Sequence, residues 1–295
     1  MMTDYAYLRN RSTKMHASLA QVVTMAGTDP SGGAGIQADI KTISATGSFA
    51  ASIITVLVAQ NTQLVTAIQE IPLPFIQQQI DAVFNDLSVD AVKLGMLYHE
   101  DIIHCVSRNL KKYSPRTIVL DPVMVSQTGH TLLKPQAIRA LVDELFPLAT
   151  LITPNIPEAE SILKCKITDE SSMHEATYEL ATRYHVSVLL KGGHLNTIHA
   201  SDIFYDLSQK KFTVLKTLRI NTQNTHGTGC TLSAAIASYL AQGESLAHAI
   251  ELAKRYLTQC ILAAKNLKLG QGQGPVDHFY FLDSSRLNLI KDKEK

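Results

Sequence analysis

The stretch Asn224-Thr-His-Gly-Thr-Gly-Cys-Thr-Leu-Ser-Ala-Ala-Ile-Ala-Ser-Tyr-Leu240 runs from a polar, glycine-containing loop straight into an Ala-rich apolar helix. Gly227 and Gly229 let the backbone approach a ligand closely, and the N–H groups of the first helical turn have no partner inside the helix. Such an end attracts negative charge, phosphate above all. Thr228 and Thr231 add hydroxyl donors, and the helix dipole at Cys230 is expected to lower that thiol below its ordinary pKa of about 8.5. This is the chemistry of an anion hole with a nucleophile-sized side chain at its edge. The plainer alternative is an ordinary helix start over a small buried cysteine.

Two other clusters carry matching chemistry. Lys191, followed by Gly192-Gly193-His194, could place a point charge on nucleotide phosphates. Asn155-Ile-Pro-Glu158 opens a helix after a strand, and an oxygen pair of this kind suits a Mg²⁺ that keeps several waters. Glu158 could equally be a first-turn acid that complements the helix dipole. The loop Gly27-Thr-Asp-Pro-Ser-Gly-Gly-Ala-Gly35 is not a P-loop, because Gly33 and Ala34 stand where Lys and Ser/Thr belong. It does match GxGxxA at Gly33 to Ala38, but a dinucleotide site also wants an acid at the end of the second strand. Here the predicted strand Ser52 to Ala59 ends in Gln60-Asn-Thr62 instead.

These residues must be positioned by a repeating strand–helix rhythm. Apolar runs at Gln21–Ala26, Ser52–Ala59, Ala91–Gly95, Thr117–Asp121, Thr150–Thr153 and Ser187–Lys191 predict strands. Between them, helical spacing runs over Ile36–Ala45, Phe75–Leu87, Asp101–Tyr113, Pro135–Phe146 and Met173–Tyr184, and a hairpin follows at Asp202–Tyr205 and Phe212–Leu215. A long helix from Leu246 to about Asn266 closes on Gly270-Gln-Gly-Gln-Gly274. The alternation predicts an α/β fold with a mostly parallel sheet covered by helices on both faces. Ligands should then gather at the carboxyl ends of the strands, where Asp29, Gln60, Met96, Asp121, Asn155 and Lys191 would share one sheet edge. No linker or repeat divides the chain, so one domain over 17–285 is expected, with a disordered extension over 1–16 and a charged tail over 286–295.

Composition sets the limits. Twenty-seven basic against 26 acidic residues give a net charge of +1, which points to neither nucleic acid nor an anionic membrane as partner. The four cysteines form no CxxC pair or zinc spacing, and a reduced, cytoplasmic compartment is expected. No run approaches the roughly 18 apolar residues that span a bilayer.

Seven motifs together give the chain a family likeness from about Ala20 to His278. They are Ala26-Gly-Thr-Asp-Pro-Ser-Gly-Gly-Ala-Gly-Ile-Gln-Ala-Asp39, Ala59-Gln-Asn-Thr62, Lys93-Leu-Gly-Met96, Asp121-Pro-Val-Met124, Ile152-Thr-Pro-Asn-Ile-Pro-Glu-Ala-Glu160, Lys191-Gly-Gly-His194 and Asn224-Thr-His-Gly-Thr-Gly-Cys230. In this order they resemble the hydroxymethylpyrimidine/phosphomethylpyrimidine kinases of thiamine biosynthesis, within the ribokinase-like superfamily. The resemblance implies a three-layer ribokinase-like sandwich, ATP and Mg²⁺ as cofactors, an aminopyrimidine alcohol and then its monophosphate as substrates, and a homodimer. It implies substrate contacts from Asp39, Gln60, Val58, Met96 and Gly27, and nucleotide contacts from Lys191, Gly193, Asn155, Thr222 and His226. Metal binding falls to Glu158 and Asp121, and catalysis to Gly227, Thr228, Gly229 and Cys230. Without the resemblance, Asp39 reads as a solvated carboxylate and Met96 as a core gap-filler. Related ribokinase-like kinases place an Asp general base where Cys230 stands, so the thiol implies the pyrimidine branch and a proton-accepting role. The rival readings are a pyridoxal or pyridoxine kinase and a non-catalytic pyrimidine sensor.

Overall fold

Strands buried on both faces leave no polar alternation, and the central strands show this directly: Ala91–Leu94 is buried at every position. A computed structural model describes residues 19–124, 133, 135–195 and 197–282, so the expected extension over 1–16 and the tail over 286–295 lie outside the described residues. The elements are β1 (Gln21–Ala26), α1 (Gly35–Ala45), β2 (Phe49–Ile54), β3 (Val56–Gln60), β4 (Val65–Glu70), α2 (Leu73–Phe84), β5 (Ala91–Leu94), α3 (Glu100–Tyr113) and β6 (Ile118–Leu120). Then follow α4 (Pro135–Ala140), β7 (Leu151–Ile152), α5 (Ile156–Leu163), α6 (Glu170–Tyr184), β8 (Ser187–Lys191), β9 (His199–Asp206), β10 (Lys211–Leu218), α7 (Thr228–Ala241) and α8 (Leu246–Ala264). The predicted helix from Pro135 continues past α4 only as a π turn over Leu141–Leu145 and a 3₁₀ turn over Phe146–Leu148, where Pro147 cannot extend an α-helix.

Eight strands form one sheet in the order β10-β9-β8-β7-β6-β5-β1-β2. Pairing is parallel from β2 through β8, while β9 and β10 run antiparallel at one edge. Helices cover both faces, giving three layers. One core joins Met25, Leu94 and Leu120 to Ile80, Ile103, Phe146 and Leu180; the other joins Val22, Val119 and Leu189 to Ile43, Leu232, Ile236 and Ile250. Alternate residues of β1 therefore point into different cores, as a period of two requires.

The predicted strand Ser52–Ala59 is two strands. β2 pairs with β1 at the sheet edge, whereas β3 leaves the sheet and pairs antiparallel with β4 in a separate hairpin. The break falls at Thr55, whose amide still bonds the Ala26 carbonyl at 3.0 Å and whose hydroxyl donates to the Met96 carbonyl at 2.8 Å. An unbroken apolar run carries no mark of such a departure, and β4 was not predicted at all.

Candidate active site

The carboxyl ends of the parallel strands do converge. Asn155, after β7, bridges to Lys191 at the end of β8, and the Lys191 Nζ donates to Asp121 Oδ1, just past β6, at 2.6 Å. Asp121 also accepts from the Thr153 hydroxyl at 3.2 Å and from Ser233 of α7 at 3.4 Å. A Cβ placed on Gly229 would lie 3.4 Å from both Asp121 Oδ2 and Lys191 Nζ, so carboxylate, ammonium and helix terminus meet at one point. Burial alone would pull the Lys191 ammonium down, but Asp121 and Glu158 outweigh it and hold the pKa above its ordinary value.

Glu158 is the first-turn acid of α5 and also lies close to the Lys191–Asp121 pair. It closes a capping box on α5: its Oε2 accepts from the Asn155 amide at 2.7 Å, and Asn155 Oδ1 accepts from the Glu158 amide at 2.9 Å. The same carboxyl is 4% exposed, and burial, opposed by Lys191 and reinforced by Asp121, pushes its pKa up to about 7. Two buried carboxyls against one ammonium leave net negative charge, which fits a divalent cation. Among the described residues no third His, Cys, Asp or Glu joins them as a metal ligand. Water and phosphate oxygens would have to complete the shell of a Mg²⁺ held here.

Glycine makes the anion hole possible. Gly227 caps α7 at φ +78°, and a side chain there would sit 1.7 Å from the Gly33 carbonyl oxygen. A side chain on Gly33 would in turn meet the His226 ring at 2.3 Å, so the two loops interlock with no room for a Cβ at either position. The first intrahelical bond runs from the Thr231 amide to the Gly227 carbonyl at 2.8 Å, leaving the Gly229 and Cys230 amides ahead of it in the first turn.

Cys230 departs from expectation. Burial pushes its thiol up to about 11; Lys93 opposes the shift, Asp39 and Asp121 add to it, and the Gly35 amide that donates to the sulfur opposes it. Desolvation and two carboxylates move it opposite to the direction expected of a helix N-terminus, so the group is a thiol at neutral pH.

The residues expected to contact substrate fall in two groups. Met96 packs against Gly27 and Val56, and the Val58 amide donates to the Thr28 hydroxyl at 2.9 Å. Gln60, at the end of β3, comes within 3.4 Å of His226 Nε2. Asp39 is neither a solvated carboxylate nor an open contact: it is wholly buried, its Oδ2 accepting from Lys93 at 2.8 Å and from Thr24 at 2.6 Å, while Oδ1 has no hydrogen-bond partner among the described residues. Burial raises its pKa against the pull of Lys93. Lys93 itself is a fully buried lysine in the middle of the sheet, unremarked in the sequence because an isolated Lys in a strand reads as solvent-facing.

A second compartment lies on the other side of the anion hole. This cavity of about 430 Å³ is bordered by Asn155, Lys191, Gly193, Thr228 and Gly229 at its polar end and by Leu218, Ile220, Leu257 and Ile261 at its apolar end. Asp202 and Lys254, paired at 2.6 Å, complete the wall. Two of the expected nucleotide residues, Thr222 and His226, are not among those that border this cavity. Thr222 donates to the Lys265 carbonyl at 3.3 Å and accepts from the Asn224 amide at 3.1 Å, while His226 faces Asp29 and Gln60. In their place stand β10 and one face of α8, with Lys254, Leu257, Thr258 and Ile261 at helical spacing. That spacing was legible, but only the fold shows that this face borders a ligand cavity rather than the core.

The chain has known relatives. The family model described as phosphomethylpyrimidine kinase matches residues 29–277. A thiamine biosynthesis bifunctional protein of Geobacter sulfurreducens is 46% identical over 284 residues, which is 96% of this chain and 57% of that protein, so the chain spans little more than half of that relative. A hydroxymethylpyrimidine/phosphomethylpyrimidine kinase of Rhizobium meliloti is 47% identical over 263 residues, covering 88% of this chain and 97% of the relative. Among solved structures, an ADP complex of Bacillus subtilis pyridoxal kinase superposes with a TM-score of 0.83 at 35% identity, covering 90% of this chain and all of that one. The three-layer sandwich is accordingly the ribokinase-like fold. With a glycine-capped anion hole between two compartments and this family's model matching most of its length, the chain belongs to the phosphomethylpyrimidine kinase family.

Proposed function

We propose that the protein uses ATP to phosphorylate 4-amino-5-hydroxymethyl-2-methylpyrimidine and then phosphorylates the monophosphate to the diphosphate, for thiamine biosynthesis. The observation that carries this reading is the place of the α7 terminus. Thr228 and Gly229 border the large cavity, while Gly227 and Cys230 touch the Gly33–Gly35 loop on the far side. A phosphoryl group held at that terminus lies between donor and acceptor, which is the geometry in-line transfer needs.

Each residue then has a task. The adenine end of ATP lies against Leu218, Ile220, Leu257 and Ile261, and Lys191 meets its phosphates. Asp121 and Glu158 would hold Mg²⁺, which when bound neutralises charge on the transferring phosphate oxygens. The first-turn amides of α7 stabilise charge on the γ-phosphoryl group as the hydroxymethyl oxygen attacks. Cys230, a thiol here, orients that hydroxyl more than it deprotonates it, because a loose phosphoryl-transfer transition state asks little of a base. Gln60, Val58 and Met96 flank the pyrimidine, the Asp39–Lys93 pair lies near Cys230, and the Gly27–Gly35 loop receives the extra phosphate in the second step. The cytoplasm is the compartment this chemistry implies, and no described helix is long and apolar enough to cross a membrane. A homodimer is the proposed assembly.

Product analysis with ATP, Mg²⁺ and hydroxymethylpyrimidine tests the reading, and appearance of the monophosphate followed by the diphosphate is expected. Pyridoxal runs in parallel, because the B. subtilis relative is a pyridoxal kinase. Faster turnover of pyridoxal would reverse the substrate assignment, and no pyrimidine-dependent ATP consumption would favour a sensor.

A further inference from the structure

We infer that Asp29 and His226 are positioning residues that fix which end of the Gln60 amide faces the substrate, making Gln60 a hydrogen-bond donor to a ring nitrogen. The inference rests on the reading above in one respect, that Gln60 faces the pyrimidine.

Asp29, 2% exposed, anchors the substrate loop: Oδ1 accepts from the Ser31 amide at 2.9 Å and hydroxyl at 2.6 Å, and Oδ2 accepts from the Ala34 amide at 2.7 Å. Burial works against the carboxylate, but His226, Ser31 and Ala34 outweigh it and hold its pKa down at about 2, so it is ionised and can only accept. His226 Nε2 lies 2.7 Å from the same Oδ2. That nitrogen must carry a hydrogen, in the neutral Nε2–H tautomer and in the imidazolium alike.

A ring nitrogen that bears a hydrogen cannot accept another. Yet one end of the Gln60 amide stands 3.4 Å from this nitrogen. An NH₂ group there would set two donors against each other. The two ends of an amide have nearly the same shape, so it is the bonding pattern that assigns them. The carbonyl therefore takes the place nearest His226, sharing its N–H with Asp29, and the NH₂ turns away towards the substrate side. A substrate that offers a ring nitrogen at that edge is bound, and one that offers only C–H there leaves a donor unpaired.

Two measurements on the full-length protein test this. Nitrogen-15 NMR of histidine-labelled enzyme without substrate, with the signal assigned by its loss in His226→Gln, should show Nε2 protonated; a bare Nε2 overturns the inference. The second compares hydroxymethylpyrimidine with its analogue in which the ring nitrogen beside the amino-bearing carbon is replaced by C–H. Wild type should disfavour the analogue by on the order of tenfold in KM, the weight of one hydrogen bond. Gln60→Glu, assayed at about pH 8 where a carboxylate keeps the acceptor for His226 but has no donor, should lose that preference and raise the pyrimidine KM similarly, with the ATP KM unchanged. Retention of the preference by Gln60→Glu overturns the inference. Asp29→Ala removes the acceptor of the Nε2 hydrogen, so the preference for the pyrimidine over the C–H analogue should fall while the ATP KM stays unchanged; full retention of the preference overturns the positioning role. Protonated Nε2 in an enzyme that turns over no pyrimidine fails the functional reading while the Gln60 orientation stands.

Discussion

Cys230 is the residue whose role changes most once its surroundings are known. From sequence it is a thiol under a helix dipole; in the fold it is a half-buried thiol near Asp39 and Asp121, with its pKa pushed up to about 11. Cys230→Ala is therefore expected to lower kcat by less than about 100-fold, under the usual 10²–10⁴-fold effect of removing a general base. Single-turnover rates check this, and a larger loss in a folded variant would restore the base role. Glu158 is expected to dominate the pH profile instead. Its carboxyl, raised to about 7, is increasingly protonated as pH falls through neutrality and then opposes a cation. The Mg²⁺ concentration for half-maximal rate should rise between about pH 8 and 6 in wild type and stay flat in Glu158→Gln, as titrations at fixed ATP would show.

At the level of elements, strands and helices were legible because their periods differ, and β8 was read to its exact ends, Ser187–Lys191. The error at Ser52–Ala59 has a physical cause. Whether β3 stays in the sheet depends on a partner strand, Val65–Glu70, whose mixed polar sequence gave no strand signal. Both glycine loops stand out in the sequence, but their interlock does not, since no local pattern tells which two loops will touch. That interlock separates two substitutions. Gly227→Ala collides with the Gly33 carbonyl and should lower kcat for both phosphorylations by about 100-fold or more, the scale of losing an anion-hole donor. Gly32→Ala, strained at φ +80° but facing only the flexible Lys41 ammonium at 3.0 Å, should mainly raise the KM for the monophosphate. Separate assays with the alcohol and the monophosphate distinguish them; equal effects of Gly32→Ala on both would remove the loop from the second step.

For the whole molecule, a net charge of +1 means that an anionic ligand is drawn by a local site rather than by a general field. The motifs around Gly27–Gly35, Gln60 and Met96 were legible, whereas the apolar wall of the 430 Å³ cavity was not, because Leu257 and Ile261 have the same chemistry as core residues. Surface chemistry also bears on assembly. Phe49 on the edge strand, Leu57 and Leu64 of the hairpin and Phe75 of α2 are exposed on neighbouring elements, an apolar surface of the kind that oligomers cover. The double substitution Leu57→Asp with Leu64→Asp should convert a dimer to a monomer, read by light scattering coupled to size exclusion; a dimer that survives it uses another face.

The hairpin has one more consequence. Two strands on their own are marginally stable in water, and the turn of this pair is fastened to the chain beyond α8: the Gln271 and Gly272 amides donate to the Thr62 hydroxyl at 3.2 and 3.1 Å, and the Gln273 amide to the Thr62 carbonyl at 3.0 Å. In the language of amide exchange, β3 and β4 should open as a local unit long before the main sheet, at a rate set by that fastening. Thr62→Val removes the hydroxyl acceptor and keeps the carbonyl, so deuterium uptake should quicken across residues 56–70 and stay unchanged in β5 and β6.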